Sequence, residues 1–420
     1  MGKVGIIGAG PTGMMAALEA AKRGTRVLLF DSNPMVGRKL LVTGNGRCNL
    51  TNANVAADRY TCADPAFLEQ ALAKFGHEHL IAALRELGIP TYATHDGWCY
   101  PLSNSAATVV DTFAVALKLA GVEVHLRHKI THIRRSKGKF ALEADVPDGA
   151  RTYTVERVVV AAGGKAHPAL GSKGECFPLL EELGHTVVPV YPALVPIRAE
   201  VKQFHKLQGV RLDVGLALYQ GDKKLGETVG NLLFTQFGFS GPASMDLSHL
   251  VSTHLGSGHE GPSLRLTLNL IPYHLKELRQ LVARRRAEPI PVRVVLGAVL
   301  PVKIPPVFLP LAGLSPDVRL NQISNRDLEK LLDLLTGISV KVKGTRSFKF
   351  SQLSTGGVPV TEVIPSTMAS RRVKGLYLAG EVLDVVGPCG GYNLQYAFTS
   401  GAIAGMAAGG GEEWNQSGTS

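Results

Sequence analysis

The chain begins with a short apolar run, Lys3 to Ile7, followed by the glycine turn GAGPTG from Gly8 to Gly13. A run this brief, bounded by glycine, predicts a buried strand. Beyond the turn, Met14, Ala17, Leu18 and Ala21 recur at helical spacing, and Pro11 suits an early helix position. Gly24 ends that helix, and Arg26 to Phe30 predict the next strand, with Asp31 at its tip. Val122 to Arg127, Ile130 to Arg135 and Lys139 to Ala144 predict a small meander feeding back into the main sheet. Val155 to Ala161 predict a buried strand that ends in AAGG, Ala161 to Gly164. Near the other end, Gly375 to Ala379 predict a strand running into GEVLD. A loop, Gly387 to Tyr392, then leads to a helix from about Asn393, whose packing face is Leu394, Ala397, Phe398, Gly401, Ala402 and Gly405.

From about Tyr191 to Gln352 the pattern changes. Leu212 to Tyr219 and Leu264 to Leu270 predict strands, and His274 to Ala287 and Arg326 to Thr336 predict helices. No internal repeat appears. The expected organisation is a nucleotide-binding α/β domain in two parts, 1–190 and 353–410. A β-rich domain with a small helical piece, 191–352, is inserted between them, and a flexible Gly/Ser/Glu-rich tail, 411–420, follows.

A length of 420 residues, 45% hydrophobic and 19% charged, is ample for more than one globular core. The net charge of +11 favours polyanions such as nucleic acid, an acidic membrane surface or phosphorylated substrates; a solvated basic surface is the alternative. Five cysteines without a Cys-x-x-Cys pair argue against zinc and dithiol chemistry and suit a reducing compartment. The first residues read as strand and turn rather than signal peptide, and Asn49-Leu50-Thr51 reads as an accidental glycosylation match. Val292 to Leu314, the most apolar later stretch, holds Arg293, Lys303 and several prolines, which rules out a membrane helix. The expected location is the cytoplasm.

The strand, glycine turn, helix and terminal acid form a dinucleotide fingerprint in its full context. Gly8 allows the tight turn, Gly10 lets backbone approach a pyrophosphate, and Gly13 allows close helix–strand packing. Pro11 opens the helix whose N-terminus faces the phosphates, and Asp31 is placed for ribose hydroxyls. The fingerprint alone does not separate NAD from FAD. The C-terminal strand–Gly-Glu–loop–helix decides for flavin, because it resembles the glutathione-reductase-like flavoproteins, where the last helix aims its positive end at the flavin pyrimidine. An ordinary strand–helix pair closing the sheet is the alternative.

Four segments make the resemblance more specific: VGRKLLVTGNGRCNLTN (Val36 to Asn52), NLLFTQFGFSGPA (Asn231 to Ala243), STGGVPVTEV (Ser354 to Val363) and GLYLAGEVLDVVGPCGGYNLQYAFTSG (Gly375 to Gly401). In order and over nearly the whole chain, they resemble the HI0933-like, or BaiN/RdsA-type, FAD-dependent oxidoreductases. That resemblance implies a Rossmann FAD-binding domain with a large insert, and reduction of a conjugated C=C with NAD(P)H as electron source. One branch is associated with dihydrouridine in large-subunit ribosomal RNA, another with bile-acid intermediates. Two departures stand out. Pro388-Cys389 differs from the family pattern, so Cys389 carries no family role, and Tyr100-Pro101-Leu102-Ser103 matches the family's Phe-Pro-Val-Ser segment only loosely.

The implied FAD contacts are Gly8, Gly10, Pro11, Gly13, Asp31, Ile130, Ala162, Gly163, Gly380, Glu381, Gly391, Asn393 and Leu394, with Arg38 and Lys39 near the pyrophosphate. Thr43, Gly44, Asn45, Gly46, Arg47 and Cys48 pass beside the ribityl chain and ring. In that loop Gly44 and Gly46 clear space for a flat aromatic, and Asn45 and Asn49 offer directed polar groups. Arg47 holds the loop or stabilises charge on reduced flavin; a glycine turn with an Asn cap is the alternative. The proton donor is sought in Cys48 first, then Tyr392, then His167; a buried, packed Cys48 competes with that role.

No second G-x-G-x-x-G is present, so NAD(P)H binds transiently near the flavin or another donor serves. Arg284-Arg285-Arg286 and Lys341, Lys343, Arg346 and Lys349, with Phe348 and Phe350 between, suit RNA; an exposed strand with phenylalanines in and lysines out is the alternative. Three functions compete: uridine reduction in ribosomal RNA, reduction of a small-molecule enone, and a flavin-binding module that docks on RNA without catalysis.

Overall fold

A computed structural model describes residues 2–258 and 263–410. The tail expected to be flexible, 411–420, lies outside the described residues. The chain divides into two compact units: Met1–Val190 with Gln352–Ser420, and Tyr191–Ser351.

The first unit is built on a seven-stranded sheet. Its order is Val363–Ile364, Ala369–Ser370, Leu376–Leu378, Arg157–Val160, Lys3–Ile7, Arg26–Asp31, Glu123–Leu126. The last five run parallel, and the first two form an antiparallel edge. The central strands are apolar on both faces, as a parallel sheet covered by other elements requires: Val4, Ile6, Leu29, Phe30 and Val158–Val160 are all buried. Both ends of the chain contribute to this one sheet, which makes it a Rossmann-type layer.

Two helices pack on each other beside the sheet, Pro11–Ala21 and Tyr392–Gly410. Their contact is backbone on backbone. A side-chain carbon on Gly401 or Gly405 would overlap the carbonyl oxygens of Thr12 and Ala16. Small residues at four-residue spacing let the helices approach this closely.

The separate three-stranded meander is Lys129–Ser136, Lys139–Val146 and Gly149–Val155. This corrects the expected meander in two ways. Glu123–Leu126 pairs in parallel with Arg26–Asp31 in the main sheet, and the third meander strand comes after Ala144. The polar residues of Gly149–Val155 sit on an exposed edge, which hid the alternation from a hydrophobicity reading.

The second unit is a closed six-stranded barrel in the order Ile197–Ala199, Gly238–Ser240, Lys223–Thr235, Arg211–Gln220, Leu264–Asn269, Ile338–Thr345. Alternate residues face inward: Leu264, Leu266 and Leu268 are buried, as are Ile338, Val340 and Val342. Helices Leu275–Arg285, Pro305–Leu311 and Asn325–Gly337 join the same core through Leu278, Phe308, Leu331 and Leu335. The Lys/Phe alternation does not continue as one strand. Lys341 and Lys343 point outward from the barrel, but Phe348–Phe350 is a 3-10 turn and Phe350 is exposed.

Candidate cofactor site

All the sequence-derived site residues fall in the first unit, most of them around the carboxyl ends of the parallel strands, where α/β sheets bind ligands. Gly8 follows the first strand with φ 104°, its N–H donating to the Phe30 carbonyl at 2.7 Å. The Cβ position of Gly8 is filled by the backbone of Ala161 and Ala162, which brings the AAGG turn, and with it Gly163, against the glycine loop. A Cβ on Gly13 would overlap the Gly8 carbonyl oxygen. At Gly10, by contrast, nothing lies within 4 Å of the Cβ position. Two glycines of the fingerprint are therefore required by the protein's own packing, whereas Gly10 faces open space.

Pro11 starts the helix, and its first i→i−4 bond runs from Met14 N–H to the Gly10 carbonyl at 2.9 Å. The helix N-terminus thus faces the turn with the positive end of its dipole. The Asp31 carboxylate closes the turn: it accepts from Ala9 N–H at 2.7 Å and from both the backbone and side-chain N–H of Asn33 at 2.8 Å. His128 N–H donates to the Asp31 carbonyl at 2.9 Å, which draws the start of the meander alongside. Ile130 itself buries its side chain in the core, so of the sequence-derived contacts it offers only backbone here.

Arg38 and Lys39 diverge. Gly37 N–H donates to the Ala9 carbonyl at 2.8 Å and anchors the segment on the glycine turn. From there Arg38 reaches Asn33 Oδ1 at 2.8 Å, while Lys39 pairs with Glu381 at 2.7 Å, both side chains largely covered. Glu381 also accepts from Ser354 N–H at 2.9 Å and Ser354 Oγ at 2.8 Å. Ser354 opens the STGG motif, and only its place in the fold marks it as part of this site. Its Oγ accepts from Lys165 N–H at 3.0 Å, joining three segments far apart in sequence. Gly380 packs on Thr12, and its N–H donates to Ser400 Oγ at 2.9 Å.

The TGNGRCNLTN loop wraps into a kinked 3-10 turn with Gly44, Asn45, Gly46 and Cys48 all at positive φ. Thr43 Oγ1 donates to the Leu40 carbonyl at 2.6 Å, and Cys48 N–H returns to the Thr43 carbonyl at 3.0 Å. Asn45 and Arg47 are exposed, and Arg47 lies over the Tyr100 ring at 4.5 Å with a 3.3 Å bond to its hydroxyl. Cys48 is fully buried in the core, and burial pushes its thiol up to about 12. This geometry bears on Cys48 as the first choice of proton donor. A thiol closed off from the surface and so reluctant to ionise matches the packed alternative.

Tyr392 is also enclosed: its ring meets Tyr60 edge-on at 5.9 Å and its hydroxyl donates to the Asn54 carbonyl at 3.4 Å. His167 is half-buried, with φ 57°, just beyond the AAGG turn. Asn393 holds its own loop, accepting from Gly387 N–H and donating to the Gly387 carbonyl, both at 2.8 Å. Leu394 packs against the core.

The last helix begins after Gly390 and Gly391, at φ 112° and 100°, with Gln395 N–H bonding to the Gly391 carbonyl at 2.9 Å. Asn49 is buried against this terminus. Its Oδ1 lies 2.9 Å from the Cβ position of Gly391 and has no hydrogen-bond partner. A buried acceptor without a donor costs about 1–3 kcal/mol, which a ligand N–H would offset.

These features fit FAD. The open face at Gly10 and the first helix suit a diphosphate, and the last helix with the unsatisfied Asn49 suits the polar edge of a flavin pyrimidine. When bound, FAD supplies a hydride; the protein supplies orientation and fixed dipoles. Among the described residues no cluster of three His, Cys, Asp or Glu could hold a metal ion, and no helix is long and apolar enough to cross a membrane.

Comparison with known proteins agrees with this geometry. Residues 2–407 match the model of the HI0933-like protein Rossmann domain. The 3-dehydro-bile acid delta(4,6)-reductase of Clostridium scindens is 33% identical over 414 residues, 97% of this chain and 99% of the relative. The ribosomal RNA dihydrouridine synthase of Escherichia coli is 33% identical over 400 residues, 94% of this chain and 95% of the relative. Its counterpart in Haemophilus influenzae is 29% identical over 401 residues, with the same two coverages. The chain belongs to the HI0933-like family and is an FAD-dependent oxidoreductase.

Proposed function

We propose that this protein reduces the C5=C6 bond of uridine in large-subunit ribosomal RNA, in the cytoplasm, using NAD(P)H as a transient electron donor. The acceptor is a conjugated C=C–C=O: hydride arrives at C6, and a proton completes C5. In this reading Gly10 and the helix beginning at Pro11 hold the diphosphate, Asp31 the ribose, and Lys39 with Glu381 the region between phosphate and ring. The loop Thr43 to Cys48, Asn49 and the backbone of Gly391 to Leu394 border the ring. Asn49 fixes the pyrimidine edge, and Cys48 supports the loop by packing. His167, half-buried beside the AAGG turn, takes first place as proton donor.

The single observation that carries the RNA reading over a small substrate is the net charge of +11, since a polyanion gains from it and a neutral enone does not. A second reading, reduction of a free enone, rests on the 33% identity to the bile-acid reductase. The test is nucleoside mass spectrometry of ribosomal RNA from cells lacking the gene. Loss of dihydrouridine, restored by the wild-type chain, is expected. Unchanged dihydrouridine, together with NAD(P)H oxidation by purified protein on a 3-oxo-4,6-diene steroid, establishes the second reading instead.

A further inference from the structure

The positive charge is not spread evenly. The unit Tyr191–Ser351 holds twenty-one Lys and Arg against twelve Asp and Glu, a surplus of nine out of the chain's eleven. The larger, cofactor-binding unit is almost neutral. The surplus therefore lies in the unit that carries none of the candidate FAD contacts.

On the barrel wall the cations form a band. Along Ile338–Thr345 the valines point in and Lys341 and Lys343 point out. Arg265 lies directly opposite Lys341 on the neighbouring strand, and its guanidinium sits over the Tyr219 ring at 4.7 Å. Arg198, exposed, lies opposite Gly344 on the other side. Lys343 approaches Glu200 at 3.5 Å, with both side chains about half exposed, so the pair is well solvated and weak.

Just past the end of that strand, the Arg346 guanidinium is stacked between two aromatic rings, 3.6 Å from the Phe350 centroid and 4.6 Å from that of Phe237. Arg346 makes no ion pair among the described residues. Phe350 is 42% exposed, so part of its ring is open to solvent, and Lys349 lies 5.8 Å from that ring. A flat cation–aromatic stack at the margin of a cationic band is how sequence-tolerant single-strand sites are built: bases stack and phosphates meet the charges.

We infer that this face of the barrel, with Phe350, Arg346, Lys341 and Lys343 at its centre, binds single-stranded RNA and holds the substrate strand. The choice of ligand rests on the ribosomal RNA reading above. The surface does no chemistry; it supplies affinity.

The test uses the full-length, FAD-loaded protein and a fluorescein-labelled oligouridine of about 16 nucleotides, read by anisotropy between about 50 and 200 mM KCl. Phe350→Ala is expected to weaken binding by about tenfold with thermal midpoint and FAD content unchanged, and Phe350→Trp to restore it. The Lys341→Ala, Lys343→Ala pair is expected to lower the slope of log affinity against log salt by about 1.4. Lys118→Ala, an exposed cation of the other unit, is expected to change neither. The inference is overturned if Phe350→Ala binds as wild type does. It is equally overturned if these variants lose binding to phosphatidylserine vesicles while keeping RNA. The two proposals fail separately. Uridine reduction on ribosomal RNA with an unchanged KM in Phe350→Ala removes this surface and leaves the reaction. Oligouridine binding that maps to Phe350, with no uridine reduction, removes the reaction and leaves the surface.

Discussion

Gly10 and Gly13 stand three positions apart and fail differently when given a side chain. At Gly13 the added carbon overlaps the Gly8 carbonyl, so Gly13→Ala is expected to destabilise the apoprotein itself. At Gly10 there is room, and φ of −77° suits any residue. Gly10→Val is therefore expected to fold with a near-normal circular-dichroism melt while losing the flavin absorbance of the purified protein. A Gly10→Val protein that stays yellow shows that the diphosphate lies elsewhere. Cys48 makes the second residue-level case. With its thiol pushed up to about 12, less than about one molecule in a thousand is thiolate at pH 8. In the native protein Cys48 is expected to resist thiol reagents that reach the half-buried Cys62 and Cys389. Cys48→Ala is expected to keep turnover within about threefold, for which the limit is less than 1 kcal/mol in the barrier. A hundredfold fall in turnover restores Cys48 to the chemistry. These residues also mark what a linear reading reaches. The glycine spacing was legible because backbone geometry constrains residue type locally. The burial of Cys48 was not, since its enclosure comes from packing that no window around residue 48 contains.

Between elements, two contacts hold the cofactor unit together. The paired first and last helices depend on Gly401 and Gly405, and Gly405→Leu is expected to cost about 3 kcal/mol or more by overpacking, seen as a lower urea midpoint. An unchanged midpoint means the helices lie farther apart than described. The second contact is a clasp at the sheet edge. His185, fully buried, donates through Nδ1 to Glu362 at 2.7 Å and accepts at Nε2 from Ser370 Oγ at 2.8 Å; Arg372 and Thr186 also bond to Glu362. Burial lowers the His185 pKa. Burial opposes ionisation of Glu362, but hydrogen bonds from Arg372, Thr186 and His185 outweigh it and hold its carboxyl down to about 2. Both groups bind protons more readily in the unfolded chain. His185 therefore removes stability as pH falls below its ordinary value of about 6.5, and Glu362 as pH falls from about 4.3 toward 2. The expected outcome is a urea midpoint that declines from pH 7 to about pH 2, first through His185 and then, below about pH 4.3, through Glu362. Glu362→Gln is expected to lose about 3 kcal/mol at pH 7 and to flatten the acid end of that profile. An equal slope in both proteins removes the clasp from the account. The elements themselves were largely legible: Lys3–Ile7, Arg26–Asp31 and Leu376–Leu378 sit where the apolar runs predict them. Pro65–Lys74, His77–Glu86 and Ala106–Leu119 also carry apolar residues at helical spacing, but no fingerprint marks them in the sequence.

At the scale of the molecule, two cores serve two units, and the candidate cofactor residues all fall in one of them. A ligand stabilises what it binds by mass action. Calorimetry of apoprotein is expected to show two transitions, with saturating FAD raising one by several degrees and leaving the other in place. A single transition that moves as a whole with FAD shows that the units unfold as one. The charge divides the same way: the unit with the candidate cofactor residues is near neutral, and the barrel unit carries most of the positive surplus.

The sequence by itself determined the fingerprint, the buried parallel strands, the small-residue face of the last helix and the family, because each is a matter of residue type at fixed local spacing. Only the tertiary structure decided that the insert closes into a barrel, that Cys48 faces the core, that Asn49 is left with an unsatisfied oxygen beside Gly391, and that Arg346 lies between Phe237 and Phe350. Closure, burial and stacking join residues tens or hundreds of positions apart. Their energies depend on what fills the space around each side chain, which local spacing does not encode.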